Sequence, residues 1–215
     1  MGTKNKSKNA GEEVRLLSPI KLLRKYYNYN NIVEHSKTTA RIALIISKLI
    51  KEKNRDLRIS FLDVKNAALL HDIDKALTLK QNYKKALKIC EKLGIPRSRI
   101  KHGLLGYEIL KREGLLKYAR IAKQHTLNNI LNDKTRPKTL LSKIIFYADK
   151  RAGDQKVLSI SQRIKLWKKR YKIRGEKLKE IMEAKKKLIE LEKEIISRTG
   201  LSKKDFERAL REANT

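Results

Sequence analysis

Apolar residues three and four positions apart recur in almost every segment of this 215-residue chain, and that spacing commits it to helices. Over "NIVEHSKTTARIALIISKLIKEK" the inward stripe runs His35, Thr39, Ile42, Ile46 and Leu49, with steps of four, three, four and three. A helix of 3.6 residues per turn brings such positions onto one face. No stretch alternates apolar and polar residues as a half-buried strand would. The expected fold class is therefore all-α, a helical bundle.

Punctuation divides the pattern. Ser18-Pro19 reads as an N-cap followed by proline at the first helical position, and opens a short helix through "IKLLRKYY". "SFLD" and "SISQ" have the form of capping boxes. "QNYKKALKICEKLG" is expected to stop at Gly94, with Pro96 just beyond it. "SRIKHGLLGYEILKREG" reads as one helix with His102, Gly106 and Ile109 in line. "LLKYARIAKQHTL" and "KTLLSKIIFYADKRAG" place His125 and Asp149 near the ends of two more. Residues 1–13 read as a disordered basic tail, 14–174 as the main domain and 175–215 as a charged helical C-terminal extension. In that extension Ile181, Ala184, Leu188, Leu191 and Ile195 follow a three-four spacing for only about two heptads. A coiled coil asks for more, so packing against the body or a partner helix is expected, and a homo-oligomer is left open.

Charge narrows the function. The 54 Lys and Arg against 23 Asp and Glu give +31, an imbalance that fits a polyanionic substrate or partner. Between Arg163 and Lys187 there are 12 cations against 3 Glu. "KLWKKRYKIR" interleaves Trp167 and Tyr171 with those cations, a combination that can grip phosphates and stack a base, as contact with RNA or DNA through the basic face requires. Helical spacing also puts Ile164, Trp167 and Tyr171 on one stripe, and the expectation is that they pack inward beneath a solvated cationic face. The single cysteine, Cys90, excludes an internal disulfide and fits a reducing, cytoplasmic setting. The most apolar run, "IALIISKLI", is too short to span a bilayer and is interrupted by Ser47 and Lys48.

The chemistry sits in a few polar residues on apolar faces. His35, His71, His102 and His125 each fall on or beside the apolar side of a different expected helix, and Asp149 does so on a fifth. One histidine in such a place is ordinarily a hydrogen-bonded core residue. Four of them with a carboxylate would cost a few kcal/mol each if left unsatisfied, and a divalent cation would satisfy them together. Imidazole and carboxylate suit manganese, iron, cobalt, nickel or zinc. In "LLHDIDK", His71 and Asp72 are about 100° apart around a helix, so they converge on an ion only if the helix ends there.

The ordered set His35, His71-Asp72, Asp149 resembles the HD superfamily of metal-dependent phosphohydrolases, and "HDIDK" is close to that family's frequent "HDIGK". The further histidines, in "KHGLLGYEIL" and "KQHTL", are similar to those of its binuclear members, among them the symmetric bis(nucleosyl)-tetraphosphate hydrolases. After Asp149 the chain reads "KRAGDQKVLSISQRIK", where those hydrolases carry a more acidic segment. The resemblance implies an HD-domain-like bundle. One ion would be held by His35, His71, Asp72 and Asp149, a second by His102 and His125 with Asp72 bridging, and a metal-activated hydroxide would attack a phosphate. Lys75 is expected to contact substrate phosphate, or else to be one exposed lysine among many. Asp74 would orient water or accept a proton, or else cap a helix or brace a ligand histidine. Lys150 and Arg151 would reach substrate or form a solvated helix edge. The expected substrate is a phosphate-containing small molecule, a nucleotide above all. The rival reading is an inactive HD scaffold that binds nucleotide or nucleic acid through its basic surface.

Overall fold

The structure, a computed structural model, describes residues 18–153 and 155–212. The basic tail expected at residues 1–13 lies outside them. Helices α1 (Pro19–Lys25), α2 (Asn30–Lys53) and α3 (Phe61–Leu70) come first. Next are α4 (Tyr83–Lys92), α5 (Leu104–Arg112), α6 (Leu116–Gln124) and α7 (Leu140–Arg151). The chain ends with α8 (Ile160–Arg170), α9 (Gly175–Thr199) and α10 (Lys203–Glu212). Among the described residues there is no strand, only an isolated bridge between Ala152 and Val157. The fold is all-α. No helix of the described residues is long and apolar enough to cross a membrane.

Local signals set the helix starts. The Ser18 side chain caps α1, with Pro19 at the first position. Ser159 and Gln162 form a reciprocal capping box at α8, and Thr139 and Ser142 form another at α7. At α3 only half of the expected box is made. Ser60 accepts from the Asp63 amide, but the Asp63 carboxylate turns to Lys117 and Tyr118 instead. The helix expected over "SRIKHGLLGYEILKREG" is interrupted. Arg97–Arg99 form a 3-10 turn, Gly103 takes φ +82°, and α5 begins only at Leu104. His102 therefore sits in a turn.

Two apolar cores form. One joins Ile42, Ile46 and Ile50 of α2 to Ala68 of α3, Ile145 of α7 and Leu188 of α9. The other joins Leu23 of α1, Cys90 of α4, Ile109 of α5 and Ala122 of α6. Each such Leu or Ile contributes roughly 1.5–3 kcal/mol by leaving water. The seam between the cores runs through the end of α3, because Leu69 packs into the first and Leu70 and Ile73 into the second. The two residues between, His71 and Asp72, are thereby held at the junction.

The stripe Ile181, Ala184, Leu188, Leu191 and Ile195 is buried, and α9 packs against α2, α7 and α8. Arg151 locks this arrangement. Its guanidinium, 1% exposed, donates to Tyr147, to Glu192 of α9 at 3.2 Å and to Glu207 of α10 at 2.8 Å. That corrects the expectation of a substrate contact: Arg151 faces away from the cavity described below and ties α7 to the two last helices.

Candidate metal centre

Five segments deliver the six polar side chains to one place. His35 stands in the second turn of α2, and Asp149 in the last turn of α7. His71 is the C-cap of α3 and His125 that of α6. After His71 the chain leaves the helix as successive turns through Thr78, which lets Asp72 swing to the same side. His102 arrives from the turn before α5.

Each imidazole is oriented by its Nδ1. In His71 this atom donates to the Ala68 carbonyl at 2.7 Å, and in His125 to the Ala122 carbonyl at 2.6 Å. In His35 it faces the Gly153 carbonyl at 3.4 Å, and in His102 it faces Asp74 Oδ1 at 3.0 Å. A proton held at Nδ1 leaves the Nε2 lone pair free to point at an ion. All four Nε2 atoms face the two carboxylates. That of His35 lies 3.1 Å from Asp149 Oδ1, and that of His125 lies 2.9 Å from Asp72 Oδ1. His102 Nε2 is 3.2 Å from Asp72 Oδ1 and 3.0 Å from His125 Nε2. His71 Nε2, 3.7 Å from both Asp72 Oδ2 and Asp149 Oδ1, is buried without a hydrogen bond.

This geometry fits a divalent transition metal. Ligand atoms about 2.0–2.2 Å from an ion stand roughly 3–3.5 Å from one another. Three groups meet that spacing loosely, each with its atoms within 4.8 Å: His35, His71 and Asp72; His71, His125 and Asp149; Asp72, His102 and His125. The orphaned Nε2 of buried His71 needs a partner, and the donor set is the nitrogen and oxygen mixture that first-row ions prefer.

Electrostatics agrees. Burial pushes the Asp72 carboxyl up, but Lys75 and His71 outweigh it and hold it well below the usual range. Asp149 is held down in the same way, chiefly by Lys150. Burial drives His125 down to about 4. It pulls on His102 as well, but Asp74 and Asp72 win there and raise that imidazole to about 9.

Asp74 lies beneath the centre, not in it. It is fully buried, accepts from the Gly103 and Gly106 amides at 2.7 and 3.0 Å, and holds His102. It thus caps α5 from 29 residues away, and Gly106 permits the approach. A Cβ at Gly106 would meet the Asp74 carboxyl carbon at 3.3 Å, and one at Gly103 would meet the Ala122 carbonyl oxygen at 3.1 Å. Of the roles expected for Asp74, its contacts are those of a helix cap and a brace for His102 rather than of a proton acceptor, because its oxygens are engaged away from the cavity. Lys75 does reach the centre, with Nζ 3.2 Å from His102 Nε2. Asp72, followed by other charges, raises its pKa, so it stays cationic. Lys150 is turned inward, donating to Asp149 and to the His125 carbonyl.

Above the centre opens a cavity of about 660 Å³. Its far wall comes from α8, the turn after it and α9, and carries Arg163, Trp167, Arg170, Tyr171 and Lys177. Ile164 is buried and Trp167 partly so, but Tyr171 is 56% exposed. The inward packing expected for Tyr171 does not occur, because α8 ends at Arg170 and Lys172 takes φ +47°. That this stretch walls the same cavity as the histidines was not expected from the sequence. The only hint was the mixture of aromatics and cations.

A family model, the HD domain, matches residues 32–154. All six clustered residues lie in that span, and α8–α10 lie outside it. No curated protein and no solved structure matches the chain. HD domains are generally metal-dependent hydrolases, and the buried histidine and aspartate cluster fits a metal. With the match spanning more than half its length, the chain belongs to the HD domain family.

Proposed function

We propose that this protein is a metal-dependent phosphohydrolase that cleaves a phosphoester or phosphoanhydride of a nucleotide or related small phosphate compound. The observation that carries the reading is the convergence of four imidazole Nε2 atoms on two carboxylates at the floor of a cation-walled cavity. His35, His71, Asp72 and Asp149 would hold one ion. His102 and His125, with Asp72 shared, would hold a second. When bound, such ions supply Lewis acidity to the phosphate oxygens and to the attacking water.

The chain's own residues do the positioning. The Nδ1 contacts of the histidines fix their tautomers and ring directions. Asp74 keeps His102 in place, and Lys150 keeps Asp149 in place. Lys75 presents a permanent positive charge at the edge of the centre, where a phosphate oxygen gaining charge is stabilised. Trp167 and Tyr171 line one wall of the cavity.

The test is phosphate release from a panel of nucleotides and simple phosphoesters with manganese or ferrous iron, comparing the native chain with Asp72→Ala. Hydrolysis by the native chain that disappears in the folded variant supports the reading. Hydrolysis unaffected by the substitution contradicts it, as does no hydrolysis of any panel member. An inactive scaffold has no evident need for six polar groups, five of them buried, aimed at one another, which favours the enzyme.

A further inference from the structure

Five cationic side chains line the cavity, Lys75, Lys150, Arg163, Arg170 and Lys177, against two carboxylates, Asp72 and Asp149. Five against two leaves an excess of three positive charges before any metal is counted. Lys150 is committed to Asp149. Arg163, Arg170 and Lys177 have no carboxylate partner among the described residues. The Arg163 guanidinium rests 5.0 Å from the centre of the Trp167 ring, and its Nε is buried without a hydrogen bond. One turn on, Tyr171 presents an exposed ring to the same space, which Lys75 also lines.

A phosphomonoester carries two negative charges at most and would leave this wall unneutralised once the metal centre had taken its phosphate. A chain of phosphates would not. Guanidinium and ammonium groups recognise phosphate oxygens by charge-assisted hydrogen bonds, and an exposed ring offers a face on which a base can stack. The volume, about 660 Å³, falls within the roughly 300–1,000 Å³ of small-molecule sites. The wall belongs to residues 163–177, outside the matched family region.

We propose that the α8–α9 wall is a recognition surface for nucleoside polyphosphates, in which Arg163, Arg170 and Lys177 hold the phosphates beyond the one at the metal centre and Tyr171 takes the base. This specificity rests on the hydrolase reading of the floor, but binding to the wall is measured without turnover.

Trp167 is the chain's only tryptophan, so its fluorescence reports on the wall directly. The full chain, with metal chelated, is titrated with adenosine mono- and triphosphate and with inorganic triphosphate. The expected result is a change in Trp167 emission, with the nucleoside triphosphate binding at least tenfold more tightly than the monophosphate. Arg170→Ala combined with Lys177→Ala, both exposed positions, should abolish that preference. Tyr171→Ala should weaken the nucleoside triphosphate about fivefold or more and leave inorganic triphosphate unchanged. Equal affinity for mono- and triphosphate, or a preference that survives the double substitution, overturns the proposal. So does a single-stranded oligonucleotide that binds more tightly than the triphosphate through the same residues. Asp72-dependent hydrolysis of simple phosphoesters without the triphosphate preference would refute the wall alone. Triphosphate preference with no hydrolysis of any substrate would refute the hydrolase reading alone.

Discussion

The Nε2 atoms of His102 and His125 lie 3.0 Å apart, while the Nδ1 atom of each is already engaged, with Asp74 and with the Ala122 carbonyl. Two lone pairs cannot face each other at that distance in an apolar setting without a positive charge between them. In the metal-free protein a proton on His102 fills the role, since that imidazole is raised to about 9 while His125 falls to about 4. A divalent ion would be the better occupant, because it would take both lone pairs at once, and a second held beside it would take the orphaned His71 Nε2.

Binding of manganese, ferrous iron or zinc should therefore stabilise the fold and release protons, with affinity rising as pH rises. At a free-ion concentration a hundred times Kd the gain is about 2.7 kcal/mol. Thermal melts with and without chelator check it, and His71→Ala should remove most of the metal-dependent shift.

The metal-free protein should be most stable near pH 6.5. His102 has a folded pKa above its unfolded value, so its contribution is present below about 6.5 and is lost as pH climbs toward 9. His125 is depressed, which favours the neutral ring, so its contribution is lost as pH falls from about 6.5 toward 4. Either loss is on the order of 3 kcal/mol. Denaturant unfolding across pH with chelator present should trace this dome, and bound metal should flatten its alkaline side.

Asp74→Asn should fold and yet damage the centre. Its carbonyl oxygen can accept from the Gly103 and Gly106 amides, which turns the NH₂ toward His102 Nδ1. His102 must then carry its proton on Nε2 and loses its free lone pair. Metal affinity should fall about 10- to 100-fold with secondary structure intact, as titration calorimetry and circular dichroism will show.

Arg151→Met should do the opposite. It takes the buried cation from Glu192 and Glu207, leaving Glu192 with Tyr147 and the exposed Lys203, and Glu207 with Arg211. Breaking such a pair costs about 3–5 kcal/mol and should lower Tm by roughly 10 °C. Metal stoichiometry below that Tm should not change, because the guanidinium touches none of the six.

The contrast between these two residues marks what the sequence carries. Helical spacing is local, so it revealed that His35, His71, His125 and Asp149 share inward faces, and the step from His71 to Asp72 implied a helix end at that point. The partners of Asp74 and Arg151 gave no such signal, although capping a helix or bracing a ligand histidine was among the roles expected for Asp74. Their partners lie 28 to 32 residues on for Asp74, and 41 and 56 residues on for Arg151 across the helix interfaces. Nothing in the local pattern separates a buried lysine or arginine from a solvated one. The α5 boundary misled for a related reason: apolar periodicity continued through "SRIKHG", while Gly103 at φ +82° broke the helix. Tyr171 kept the period of its helix but lay just past the end of α8.

Elemental analysis of the purified chain, dialysed to equilibrium against a mixture of manganese, ferrous iron and zinc and then against metal-free buffer, tests the centre most directly. One to two transition-metal ions per native chain, with the content falling sharply in Asp72→Ala, is the predicted result. A native chain that retains none, or a folded Asp72→Ala that retains as many, would contradict it.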